Sequence, residues 1–295
     1  MNKRSKGEKV FNVINITFMV FLCVVSLYPL LFVLALSFND GVDAMRGGIY
    51  LFPRQFTFDN YTQIFQDSRF MNALQITIFR AVVGLALTVL LNSCFAFALS
   101  KKDLPYRKLI SWFIFIPMYF SGGLIPYFLV CRDLGLYNNI WVYIIPWITM
   151  PMYIMMMRAY FVEMPISLEE SAMMDGAGYF RIFFQICLPL SLPTLATIAL
   201  LSGVMHWNDW LDGTIMVSTS RLWPLQTLLL NVIQGAEAST YLKQRFGASG
   251  GKNIKVTVEA LKMAMLVVTI VPIAMVYPLV QRFFIKGMMI GAVKE

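Results

Sequence analysis

Glu170-Ser171-Ala172-Met173-Met174-Asp175-Gly176, followed by Ile186-Cys187-Leu188-Pro189, is the stretch that decides how this chain reads. Its order is an acid, two small residues, three variable residues and Gly, then nine variable residues, Ile, one variable residue and Leu-Pro. It lies in a polar break between long apolar segments, which makes it a loop at one face of a membrane protein. Ser167 with Glu170 three residues later has the capping-box pattern, so a short helix is expected to begin near Leu168. Acids in that first turn suit the positive end of the helix dipole. Gly176 can supply the left-handed residue that ends the helix. Gly178 loosens the next turn, and a second helix is expected from about Tyr179 towards Leu188. Ser171 and Ala172 leave one side of the first helix almost flat, so another backbone can approach closely. An ordinary amphipathic loop helix would share any one of these features; the combined spacing points to a docking element.

Working outward, the composition fits that placement. The chain has 295 residues, 58% hydrophobic and 14% charged. That is too apolar for a soluble domain and too long for a single anchor. The net charge of +8 does not mark a nucleic-acid binder, because much of it flanks apolar segments. Cys23, Cys94, Cys131 and Cys187 sit in or beside apolar runs at no ligand-like spacing and read as buried packing residues. His206 is the single histidine and cannot build a metal cluster. Lys3, Arg4, Lys6 and Lys9 before an apolar run mimic a signal peptide, but the run to Phe38 is too long for a cleaved core.

Six transmembrane helices are expected, at about 10–38, 71–100, 109–130, 140–160, 186–217 and 261–284. Pro29 falls in the first. Gly84, Thr88, Asn92 and Ser93 in the second suit close helix contact. Pro117, Gly122-Gly123 and Pro126 break or bend the third; Pro146 and Pro151 lie in the fourth, and Pro272 and Pro278 in the sixth. Irregular backbone survives at membrane depth only where protein or a wet cavity meets its polar groups, so these breaks favour a transport bundle. Arg80, early in the second span, is expected to snorkel to the outer interface, and Glu259 with Lys262 to pair across one turn. The expected fold class is all-α and polytopic. Residues 1–9 form a cytoplasmic N-terminus, 10–285 the permease-like membrane domain, and 286–295 a cytoplasmic tail. Within the domain, 163–185 is the inner loop and 218–260 the long outer loop. Lys101, Lys102, Arg107 and Lys108 after the second span, with the basic termini, put both ends and the 163–185 loop in the cytoplasm.

With those residues in place, the chain resembles the permeases of carbohydrate-type ABC importers. It is similar to the half like the maltose subunit MalG, to the LplC/YtcP-like branch, and to one permease of the alginate importer. The pieces that carry the likeness are the 170–189 loop, matching the EAA motif with Ser171 in place of Ala, Tyr119 to Pro126, Leu134-Gly135-Leu136, Trp207 to Trp210, Pro224 to Leu228, and Lys286 to Lys294. The resemblance implies a MetI-like fold with a cytoplasmic coupling helix. It implies that Ser167, Glu169, Glu170, Ser171, Ala172, Asp175, Gly176, Ala177 and Gly178 form the ATPase-coupling element. It further implies a heterodimer with a second permease, two ATPase subunits, an extracytoplasmic solute-binding protein, and a bacterial cell membrane. No phosphate-binding Gly-Lys loop occurs in the chain, so ATP and Mg belong to the partner subunits and no cofactor is expected here.

Trp207, Asn208, Asp209, Trp210 and Asp212 fall in the outer half of the fifth span. Acids and amides near membrane depth should face a cavity or a partner. Indoles stack on the apolar faces of sugars while Asn and Asp meet their hydroxyls, so the cluster fits a saccharide path. Contact with the binding protein or the second permease competes with that reading. His206 reads as a satisfied packing residue. Gly247, Ser249, Gly250 and Gly251 at the tip of the outer loop are the candidates, by resemblance, for reaching the binding protein. The alternatives are an importer permease for a non-sugar solute and an ATP-independent secondary transporter. No catalytic constellation supports an enzyme.

Overall fold

The structure, a computed structural model, describes residues 6–234 and 257–292. Among the described residues it is all helical, apart from one isolated antiparallel bridge between Asn39 and Phe56. The chain divides into two compact units, one of residues 1–68 with 231–271 and the other of residues 69–230 with 272–295.

In the first unit, α1 (Lys6–Ser37) runs unbroken through Pro29. Its side chains from Val10 to Leu31 are almost all exposed, Cys23 among them. That corrects the expectation of a buried packing cysteine: among the described residues of the unit, nothing covers this stretch of α1. Beyond it the segment 39–66 is built, not loose. Asn39 accepts from the backbone of Arg54 at 2.7 Å and Gln55 at 2.9 Å, and its amide donates to Asp43 at 3.1 Å. Asp40 caps the short α2 (Gly41–Ala44). Asn60, on α3 (Asp59–Gln66), donates to the carbonyls of Ser37 and Asn39. The turn glycines Gly47 and Gly48 have φ of +71° and +76°, which only glycine adopts freely.

The second unit is organised by α4 (Ser68–Ser100), whose buried face carries Thr77, Arg80, Gly84, Thr88 and Asn92 at intervals of three or four residues. That spacing puts all five on one helix side. Around it stand α5 (Arg107–Tyr119), α6 (Leu124–Asp133) and α7 (Pro151–Glu163). Then come α8 (Ile166–Met174), α9 (Tyr179–Ile182), a single π turn at Phe183–Cys187, and α10 (Leu188–Leu190). The unit continues with α11 (Leu192–Asn208), α12 (Leu211–Ile215) and α13 (Leu225–Ile233). The last helix, α14 (Val258–Ala292), contains Pro272 and Pro278.

Among the described residues three helices are long and apolar enough to cross a bilayer: Gly7–Ser37, Ser68–Ser100 and Val258–Pro278. Counting each bent pair as one span raises this to five. The pairs are Ile140–Trp147 with Pro151–Glu163, bent 46°, and Tyr179–Leu190 with Leu192–Ile215, bent 81°. The third expected span, 109–130, is divided into α5 and α6 by an extended Phe120 and by Gly123 at φ +83°. Neither piece alone spans about 30 Å at 1.5 Å per residue.

Two apolar clusters hold this unit. One packs Phe97, Met157, Phe161, Ile182 and Phe183 below; the other packs Cys131, Val142, Tyr143, Ile144 and Met216. In the first, the Phe97 and Phe183 rings lie 5.2 Å apart, within the range of favourable aromatic pairs.

Candidate functional site

Each break in the second unit exposes backbone groups that lipid cannot satisfy. The α4 face meets those at 147–150, 207–209 and 225. Thr77 Oγ1 accepts from Leu225 N at 2.7 Å, where α13 begins. Thr88 Oγ1 donates to the Trp147 carbonyl at 3.4 Å. Asn92 donates to the Ile148 carbonyl at 3.0 Å and accepts from Met150 N at 2.8 Å, so one amide bridges the whole break before α7.

Arg80 serves the break between α11 and α12. Its guanidinium reaches the Asp209 carboxylate at 3.3 Å and donates to the carbonyls of Trp207 and Asp209. Those carbonyls end α11, at the negative pole of its dipole. Tyr143 lies under the guanidinium, 5.3 Å from its ring centre. Arg80 is 1% exposed, so the expectation of a snorkelling arginine is wrong. A carboxylate and two free carbonyls inside the bundle outcompete the interface as partners. No local sequence signal near Arg80 announces them, because they come from 129 residues away.

The Trp207–Asp212 stretch divides into anchored and open members. Asp212 is fully buried and accepts from the Tyr127 hydroxyl at 2.9 Å and from Trp147 Nε1 at 2.6 Å. Asn208 is exposed and accepts from Gln226 at 3.1 Å. Trp210 is exposed, and Trp207 partly so. Gly213 sits so close to Thr227 that a Cβ there would collide with its hydroxyl, while that hydroxyl donates to the Trp210 carbonyl at 3.0 Å. His206 is buried against Gly84, where a Cβ would lie 2.7 Å from the imidazole. It packs as expected, though its Nε2 has no hydrogen-bond partner. The arrangement is a rigid polar wall with Asn208 and Trp210 on its open side.

The loop quoted at the outset forms a separate feature of this unit. α8 starts at Ile166, and no side chain caps it. Pro165, at φ −59°, leads directly into the helix and places Ser167 inside the first turn. The expected capping box therefore does not form. The other end follows the expectation: Gly176 has φ +80°, Gly176 N bonds to Met173 O, and Ala177 N bonds to Ala172 O at 2.9 Å. This pair of bonds is the Schellman arrangement. No residue of α8 is buried; Ser171 and Glu170 are exposed, and Met174 is 89% exposed.

Two polar ties hold the loop to the end of α4. Lys101 pairs with Glu169 while lying 4.1 Å from the Phe97 ring centre. Tyr179 donates to Asp103 at 3.0 Å. A cavity of about 400 Å³ lies beside them, walled by Phe97, Leu104, Phe180 and Phe183. These contacts link α8 and α9 to the end of α4, the helix whose Arg80 also holds Asp209. Gly247, Ser249, Gly250 and Gly251 lie outside the described residues.

Comparison with known proteins adds the following. A family described as binding-protein-dependent transport system inner membrane component matches residues 93–290. Protein LplC of Bacillus subtilis (strain 168) is 34% identical over 292 residues, covering 98% of this chain and 97% of that protein. The polygalacturonan/rhamnogalacturonan transport system permease protein YtcP of the same organism is 34% identical over 287 residues, covering 97% and 99%. A chain in the crystal structure of a bacterial ABC transporter involved in importing the acidic polysaccharide alginate superposes with a TM-score of 0.89 at 29% identity. The match covers 96% of this chain and all of that one.

Proposed function

The chain belongs to the family of inner-membrane components of binding-protein-dependent transport systems, and from that premise we propose that it forms half of a translocation path for an oligosaccharide or related glycan. The near full-length likeness to YtcP, whose name gives polygalacturonan and rhamnogalacturonan as cargo, supports a saccharide. So does the likeness to an alginate importer's chain. Trp207, Asn208, Asp209, Trp210 and Asp212 would contribute to the path. Trp210 and Asn208 would face the sugar, while Asp212 and Asp209 would hold the wall.

The observation that carries the coupling reading is α8: a short, sharply ended helix with no buried residue, tied to α4 through Lys101–Glu169. Such an element suits the groove of another protein. Residues 167–178 would seat on an ATPase subunit, which binds ATP and Mg. Its closure would tilt α8, and α4 would carry the motion to the α11–α12 break. The chain itself is a transport component and not an enzyme in this scheme. Its full assembly would hold a second permease, two ATPases and an extracytoplasmic binding protein, in a bacterial cell membrane with both termini cytoplasmic. The six-span arrangement over 10–285, with α5 and α6 together as one broken span, belongs to the same reading.

Reconstitution tests it. The chain is purified with the permease, ATPase and binding protein encoded beside it, and ATP hydrolysis is measured with and without sugar-loaded binding protein. Stimulation by loaded binding protein, lost in Gly176→Asp, is the expected result. Nucleotide-independent uptake by the chain alone would overturn it.

A further inference from the structure

The inner ends of α5 and α7 carry two arginines that have no anionic partner among the described residues. Arg158, on α7, has its Nε buried with no hydrogen-bond partner. Among the described residues the charge that acts on it is the like charge of Arg107, at the first position of α5. Arg107 spends only its Nε, on the Leu99 carbonyl at 2.9 Å. No side chain caps the first turn of α5, so the positive end of that 13-residue helix adds to the same field. Lys102 and Lys108 are exposed nearby in sequence. The acids of the region are engaged: Asp103 accepts from Tyr179, and Glu169 pairs with Lys101. A guanidinium whose Nε is buried and unpartnered is costly unless an anion meets it.

The same cleft is apolar further along. A cavity of about 290 Å³, close to the lower size limit of small-molecule sites, is walled by Phe113, Ile114 and Pro117 of α5 and by Pro151 and Ile154 of α7. Arg158 stands one turn from Ile154, and Arg107 two turns from Ile114. The two helices pack together, and residues 113–117 of α5 share this cavity with residues 151–154 of α7. Outside it, Leu109 and Trp112 are strongly exposed. A ligand for this cleft needs an anionic head and an apolar tail.

We propose that the α5–α7 cleft binds one anionic phospholipid of the inner leaflet, with the headgroup phosphate between Arg107 and Arg158 and an acyl chain in the cavity beside Ile114 and Ile154. The assignment to the inner leaflet rests on the orientation given under the proposed function; the binding site itself does not. A lipid held there ties α5, which leads into the Phe120–Gly123 break, to α7, which leads into α8.

The test uses the complete transporter in detergent, and native mass spectrometry of bound lipid after titration with phosphatidylglycerol or phosphatidylcholine. Phosphatidylglycerol is expected to be retained preferentially. Arg158→Gln should weaken its retention roughly fivefold, the effect of one basic contact to an anionic headgroup. Arg158→Lys should keep most of it, and Thr149→Trp, filling the cavity mouth, should weaken it with both arginines intact. Should Arg158→Gln fail to assemble, the Lys and Trp variants still decide the matter. Equal retention of the two lipids, or unchanged retention in Thr149→Trp, would overturn the proposal. Displacement of the lipid by millimolar inorganic phosphate would assign a free-anion site, and displacement by an acidic oligosaccharide a cargo site; either also overturns it. Because lipid retention is read without transport, its failure leaves the importer reading untouched.

Discussion

Arg80 and Asp209, 129 residues apart in sequence, meet at 3.3 Å and join the first half of α4 to the end of α11. The pair does two jobs at once. The carboxylate neutralises a guanidinium that is 1% exposed, and the guanidinium covers carbonyls that the end of α11 leaves free. Replacing Arg80 by Met should therefore destabilise the assembled transporter by about 3 kcal/mol, near the low end for a broken buried pair because Asp209 keeps some solvent. Asp209→Asn should cost less, since the carbonyl contacts remain. Thermal shift of the complex, followed by size-exclusion fluorescence, orders the two variants. Equal losses would show that the carboxylate alone matters.

What could be read from the residues alone was the punctuation of the chain. Pro117 and Gly122-Gly123 announced the break between α5 and α6, and Gly176 announced the end of α8 by the left-handed conformation it adopts. These signals are local, because glycine and proline restrict or free their own backbone. The satisfaction of those breaks was not legible. Asn92 read only as a small polar residue suited to helix contact, yet its amide spans Ile148 and Met150. Arg80 pointed to the interface because its partners lie in another segment. Ser167 misled for the opposite reason: the pattern was local and correct, but Pro165 started the helix first. In the 207–212 stretch the residue types were right for a polar site. Which of them would be spent on Tyr127 and Trp147 depended on packing between distant helices.

Gly84 and His206 give a second test. A Cβ at position 84 would lie 2.7 Å from the imidazole, so the ring or the helices must shift. Gly84→Ala is expected to cost about 1–3 kcal/mol, the usual range for overpacking. The double variant with His206→Ala should recover most of that loss, because the obstructing ring is gone. Additive losses in the double-mutant cycle would mean that the two sites do not couple.

At Gly176 the backbone, not the side chain, sets the requirement. With φ at +80°, a β-branched residue is strained by about 1–2 kcal/mol, while Asn visits this region more readily. Gly176→Val is expected to lower binding-protein-stimulated ATP hydrolysis severalfold, and Gly176→Asn to keep most of it. The comparison separates loss of the helix ending from mere loss of a small surface residue. Identical activities would remove the conformational argument for this glycine.

Asp212 supplies the last and most discriminating substitution. Its two oxygens take the Tyr127 hydroxyl and the Trp147 indole, so the residue fastens α12 to α6 and to the segment before α7. Asp212→Leu strands both donors inside the bundle, at about 1–3 kcal/mol for each buried group left unpaired. Asp212→Asn keeps one acceptor oxygen but turns an NH₂ towards the other donor, so an intermediate loss is expected. Trp147→Phe in the Asp212→Leu background should restore part of the stability by removing one stranded donor. Uptake and thermal shift are measured together. If Asp212 is wall and not cargo contact, both fall in parallel across the series, while Trp210→Ala lowers uptake and spares the thermal shift. A variant of Asp212 that keeps full stability yet loses uptake would move this residue to the open side of the wall.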